Sequence, residues 1–138
     1  MRKVLFVFAL SWIVLFCLLG VYLGVGLAAY LGEARAALEA QEFSRFLEIQ
    51  AAWKQKTSAH AHALCLSFLT LFLALLMPHM ALSGRVRVIL GVFLIVGTVL
   101  ASIFGWIGFP PVMAAGDVLV ILATLLALWG ILRAKVEG

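Results

Sequence analysis

Four long apolar runs separated by short polar stretches organise this chain. Val4–Leu31 carries no charged residue, Thr57–Gly84 is charge-free when its histidines are neutral, Val88–Phe109 is uncharged, and Pro111–Leu132 is interrupted only by Asp117. Each meets the length of roughly 20 apolar residues that a helix needs to cross a hydrocarbon core at ~1.5 Å per residue. In lipid every backbone N–H and C=O must be satisfied within its own segment, so runs of this kind become helices. The expected fold is all-α: a four-transmembrane-helix bundle in one integral membrane domain, with spans at about 4–31, 57–83, 88–109 and 111–132. The first run imitates a secretory signal, with Arg2 and Lys3 before it and small residues at Ala28 and Ala29. Its apolar stretch is about twice the ~7–15 residues of a signal core, so it is read as the first membrane helix.

The polar segment 33–56, EARAALEAQEFSRFLEIQAAWKQK, lacks Gly and Pro and is rich in good helix formers. Leu38, Phe46, Ile49 and Trp53 recur in it at roughly helical spacing with charges between them. Two readings stay open: an amphipathic helix lying on the outer membrane surface, or continuations of helices 1 and 2 that protrude as a hairpin. The apolar stripe is read as packing, with a docking face for a partner subunit as the alternative.

Composition narrows the function classes. The chain is 66% hydrophobic and 12% charged, against about 25% charged residues in soluble domains, and its mean hydropathy is +1.21. Four spans consume nearly all of the 138 residues, which leaves no room for a soluble catalytic domain. Any chemistry is therefore held between helices. The net charge of +4 follows membrane topology and does not imply a nucleic-acid partner. Arg2 and Lys3, Arg85 and Arg87, and Arg133 and Lys135 fall in three short segments that share one face. The 33–56 segment balances Arg35, Arg45, Lys54 and Lys56 against Glu33, Glu39, Glu42 and Glu48. The excess of short-segment positive charge places both termini in the cytoplasm and 33–56 outside. The expected location is a bacterial inner (cytoplasmic) membrane, with the lipid bilayer and further copies or other membrane subunits as partners.

Packing signals are ordinary for membranes. Gly20 and Gly24 form a GxxxG pair, and Gly97, Ala101 and Gly105 repeat small residues at four-residue spacing, a pattern that lets helix backbones approach closely. Trp12, Trp106, Trp129, Tyr22 and Tyr30 suit interfacial or packing roles. Cys17 and Cys65 are not spaced as a metal-binding pair and are read as buried free thiols behaving as small apolar groups.

Candidate chemistry gathers on the second span, which holds all three histidines of the chain: His60, His62 and His79. A titratable side chain inside a membrane span is costly and marks a functional-site hypothesis, and imidazole is a common ligand for haem iron and other metals. His60 and His62 are two residues apart, so on a helix they differ by about 200° and cannot easily share one metal. Either is a candidate metal or cofactor ligand, and the other then faces a neighbour, water or headgroups. His79 lies about 25 Å further along the helix, in an MPHM setting, and is read as an end-of-helix interfacial histidine. Asp117 on the fourth span matches the depth of His62 to within a few ångström. Its carboxylate could fix the tautomer of a ligating imidazole, lock the bundle, or relay protons.

The run HAHALCLS from His60 to Ser67, followed by FLTLFLALL, resembles the HxHxLxLG-type helix of small bacterial four-helix membrane proteins. It also resembles the haem-ligating helix of haem–copper oxidase and nitric oxide reductase catalytic subunits. Ser67 stands where Gly is commoner, and no counterpart exists to the histidine-rich helices that bind the second haem and copper. The resemblance implies a haem-b site with His62 or His60 as axial ligand, and not oxygen or nitric oxide reduction. Only helix 2 carries histidine, so the second ligand would be Met113, an open position, or a histidine from another copy or subunit. Three classes follow: a haem-b-binding electron-transfer subunit working as an oligomer or in a larger respiratory-type complex; a cofactor-free accessory or assembly subunit; and a small transporter or metal-ion channel using His62 and Asp117. The chain alone holds no catalytic constellation.

The charge asymmetry generates a first test. In cells, an impermeant thiol reagent added outside is expected to label an engineered Gln50→Cys but not Lys135→Cys. Labelling in the reverse pattern would move His60 and His62 to the cytoplasmic side.

Overall fold

A computed structural model describes residues 1–136, with side chains through Ala134. The side chain of Lys135, one of the basic groups assigned to the cytoplasmic face, lies outside the described residues. The chain folds into four helices: α1 (Arg2–Glu39), α2 (Phe43–Leu76), α3 (Gly84–Ile107) and α4 (Pro110–Val136). All four are long and apolar enough to cross a membrane, so the chain is a multi-pass membrane protein built as an α-helical bundle. The main helix pairings follow chain order, α1 on α2, α2 on α3 and α3 on α4, while α1 and α4 make little contact.

The first two helices outrun their apolar segments. At ~1.5 Å per residue α1 is about 57 Å long and α2 about 51 Å, against about 36 Å for α3 and 40 Å for α4. The 33–56 segment is therefore not a separate surface helix. It is the second of the two open readings, the ends of α1 and α2 joined in a hairpin. The turn is made without glycine: Gln41 takes φ 59°, while Gln41 N–H donates to Leu38 O and Glu42 N–H to Ala37 O. These two bonds satisfy the carbonyls that end α1. Phe46, Ile49 and Trp53 turn toward α1, with Trp53 stacked on Tyr30 at a centroid separation of 4.5 Å. Leu38 does not join this stripe. It is exposed, because Ala34 and Ala37 occupy the face of α1 that meets α2.

The other two connections are equally local. Pro78 cannot donate a backbone hydrogen bond, and α2 gives way at Met77 to a short 3-10 turn through His79, earlier than the expected end near residue 83. Ser83 then caps α3, its Oγ accepting from Val86 N–H. At the far end Gly108 adopts φ 76°, and the N–H of Phe109 donates to Phe104 O at 2.8 Å. The rings of Phe104 and Phe109 pack across this cap, and Pro110 opens α4, where its missing N–H costs nothing.

Buried positions describe a narrow seam. Leu73, Leu90, Leu94 and Leu5 fill one half, whereas Ser67, Thr70, Thr98 and Ser102, all fully buried, fill the middle. The hydroxyls are satisfied within the bundle. Ser67 and Thr70 donate to the carbonyls of Ala63 and Leu66, and Ser102 Oγ accepts from Trp12 Nε1–H at 3.2 Å. The closest approach is between α3 and α4. A Cβ on Gly97 would lie 2.7 Å from Gly116 O, and one on Gly116 would lie 2.5 Å from Ala101 N. Gly97 and Ala101 of α3 thus find their partner in Gly116. By contrast, Gly24 of the GxxxG pair in α1 meets nothing. Both cysteines are free and exposed on the outer helix faces, a correction to the expectation that they are buried; they face the acyl chains and not the core.

Gly116→Ala is expected to force α3 and α4 apart and to lower the thermal midpoint by an amount equivalent to about 1–3 kcal/mol, the usual cost of overpacking. Gly24→Ala, which meets open space, is expected to leave the midpoint unchanged or slightly raised, since Ala is the better helix former. Equal effects of the two substitutions in a detergent melting assay would contradict the close approach.

Candidate functional site

Glycine 116 faces α3, and the next residue along the helix is turned about 100° away from it. That rotation carries Asp117 toward α2. There His62 Nε2 and Asp117 Oδ1 lie 2.7 Å apart, so the contact expected from their matched depths is present. With Asp117 ionised the carboxylate accepts and Nε2–H donates, which leaves Nδ1 as the unprotonated nitrogen of a neutral ring. The pair is not sealed in the core: 40% of the His62 side chain and 28% of the Asp117 side chain are exposed. It bridges α2 and α4, which otherwise touch little.

A cavity of about 320 Å³ adjoins the pair, lined by His62 together with Met113, Phe104, Phe109 and Gln55 among others. The local sequence explains its shape. Gly105 leaves room for Met113, whose Sδ would sit 3.3 Å from a Cβ placed there. The Gly108 cap folds Phe109 back over Phe104. Gln55 reaches from α2 to donate to Trp106 O at 3.1 Å, fixing the end of α3 beside the cavity. An imidazole and a thioether thus line one largely apolar recess. Both are donors that suit haem iron or a soft metal ion, and the carboxylate behind the imidazole is the usual second partner of a ligating histidine.

His60 goes elsewhere. Its ring packs on α1 where Gly20 has no side chain: a Cβ there would fall 2.6 Å from Cε1. Its Nδ1 is buried without a hydrogen-bond partner. His60 and His62 therefore face different helices, as their two-residue spacing requires, and do not converge on one ion. His79 is exposed in the 3-10 turn at the opposite end of the bundle. Among the described residues no group of three His, Cys, Asp or Glu side chains gathers as a metal cluster. Sequence reasoning did not anticipate Gln55 or the Phe104–Phe109 cap. The Gly-Phe-Pro-Pro string at 108–111 was the available signal for the cap.

A double-mutant cycle tests the pair. Asp117→Asn and His62→Ala are each expected to lower stability by on the order of 1–3 kcal/mol, reduced by partial exposure. The double variant is expected to cost less than their sum. Additive melting shifts would show that the two side chains do not interact.

No protein-family model matches the chain, and neither a curated protein nor a solved structure does, so the site is read from its own residues.

Proposed function

We propose that this chain is a bacterial cytoplasmic-membrane protein that binds haem b through His62 and passes electrons, as an oligomer or within a larger membrane complex. In this reading both termini are cytoplasmic and the α1–α2 hairpin projects outside. The observation that carries it is a carboxylate-oriented imidazole, His62 held by Asp117, beside an apolar recess that also presents Met113. Bound haem b supplies a one-electron couple at its iron. The chain's own residues do the rest. Asp117 holds the ring orientation and raises the basicity of the imidazole. Phe104 and Phe109 give the recess apolar walls, and Met113 offers a thioether ligand. A porphyrin is larger than the recess, so holding one would also take lipid or a neighbouring chain. The slight contact between α1 and α4 leaves free flanks for such a neighbour. A transport path using His62 and Asp117 has less support, because the half of the bundle beyond the hydroxyl layer is filled by Leu5, Leu73, Leu90 and Leu94.

The absorption spectrum of detergent-purified protein, expressed with haem available, is the test. A Soret band is expected, lost in His62→Ala and retained in both His60→Ala and His79→Ala, with circular dichroism confirming that each variant is folded. Colourless wild-type protein, prepared with its native partners present, would overturn the proposal and favour a cofactor-free accessory subunit.

A further inference from the structure

Charge is distributed unequally between the two ends of this bundle. At the hairpin end Arg35 pairs with Glu39 and Arg45 with Glu42, and Glu33, Glu48 and Asp117 lie toward the same end. At the other end stand Arg2, Lys3, Arg85 and Arg87, and none of the described residues there is a carboxylate. A concentration of positive charge at the boundary of a membrane calls for an anion.

The structure gives that charge a shaped setting. Arg2 and Arg87 line one cavity of about 320 Å³, walled by Met1, Pro78 and Val88. Met1 and Arg2 also border an open recess along the start of α1, lined further by Lys3, Phe6 and Val7. The Met1 side chain divides the two and is seated on Gly91, where a Cβ would collide with its sulfur. Arg87 is positioned for this role: one terminal nitrogen donates to Met80 O at 3.0 Å, so the guanidinium is anchored at the cavity wall. Its Nε is shut from water with no acceptor, an arrangement held at a cost that an adjacent anion would offset through charge. Guanidinium forks match the geometry of phosphate oxygens, and the adjoining hollow along Phe6 and Val7 suits hydrocarbon. A soluble phosphate would use the first feature and leave the second empty.

We infer that the groove between the starts of α1 and α3 is a binding site for an anionic phospholipid, its phosphodiester held by Arg2 and Arg87 and an acyl chain lying along Phe6 and Val7. This site is at the opposite end of the bundle from His62 and does not depend on the haem reading. Native mass spectrometry of the detergent-purified chain is the test, with phosphatidylglycerol and phosphatidylcholine of identical acyl chains as probes. Phosphatidylglycerol is expected to be retained at least about fivefold more strongly, and Arg2→Gln, at an exposed position, to weaken retention by about fivefold, the usual effect of one basic residue at an anionic surface. Arg2→Lys should preserve most of it. Lys56→Gln, the same charge change at the hairpin end, should leave it intact. Arg87→Gln is expected to lose more, with circular dichroism confirming the fold because Arg87 also holds Met80. Equal retention of the two lipids, equal loss in Arg2→Gln and Lys56→Gln, or full displacement by millimolar inorganic phosphate would each overturn the proposal.

Discussion

The near-contact of α3 and α4 at Gly97 and Gly116 is the constraint on which the hairpin half of this molecule depends. Two helices that meet without intervening side chains hold a fixed rotation about their axes, because any turn would drive a larger residue into the interface. Gly116 fixes the rotation of α4, and the neighbouring Asp117 is thereby aimed at α2. The same approach brings Met113, one turn earlier, over the gap left by Gly105. A polar contact that is modest by itself thus inherits its geometry from dispersion packing between backbones. This is the usual balance in lipid, where apolar side chains gain nothing by leaving one hydrocarbon environment for another.

The architecture was largely legible in the sequence because the bilayer imposes a length and a polarity that few segments satisfy by accident. Matching depths of His62 and Asp117 followed from the helical rise and a short α3–α4 turn. The failures have equally physical origins. Spacing sets Leu38 on the packing stripe but cannot say which face an alanine-rich helix presents; Ala34 and Ala37 pack closer and take it. Cys17 and Cys65 were expected inside because thiols are usually buried in water-soluble proteins, but in a membrane the exterior is also apolar and exerts no such sorting. The hairpin turn was invisible because Gln41 occupies a left-handed conformation normally left to glycine. The recess beside His62 could not be foreseen either, since its lining comes from three helices: His62 and Gln55 of α2, the Gly105 gap and Gly108 cap of α3, and Met113 of α4.

The two ends of the bundle differ in how their charges are managed. On the hairpin, Arg35 and Arg45 are paired within the chain with Glu39 and Glu42, four and three residues away. At the opposite end Arg2 and Arg87 line a cavity with no carboxylate in its wall. The His62–Asp117 pair and the basic groove therefore sit at opposite ends of the bundle and share no residue.

One further consequence lies in the continuity of α2. From Phe43 to Leu76 the helix contains neither glycine nor proline, and His62 lies near its middle. The projecting hairpin and the imidazole therefore belong to a single hydrogen-bonded rod. A protein that grasped the hairpin about 20 Å above His62 would hold the handle of a lever. Even a small tilt imposed there would be delivered to the His62–Asp117 contact as a change in distance.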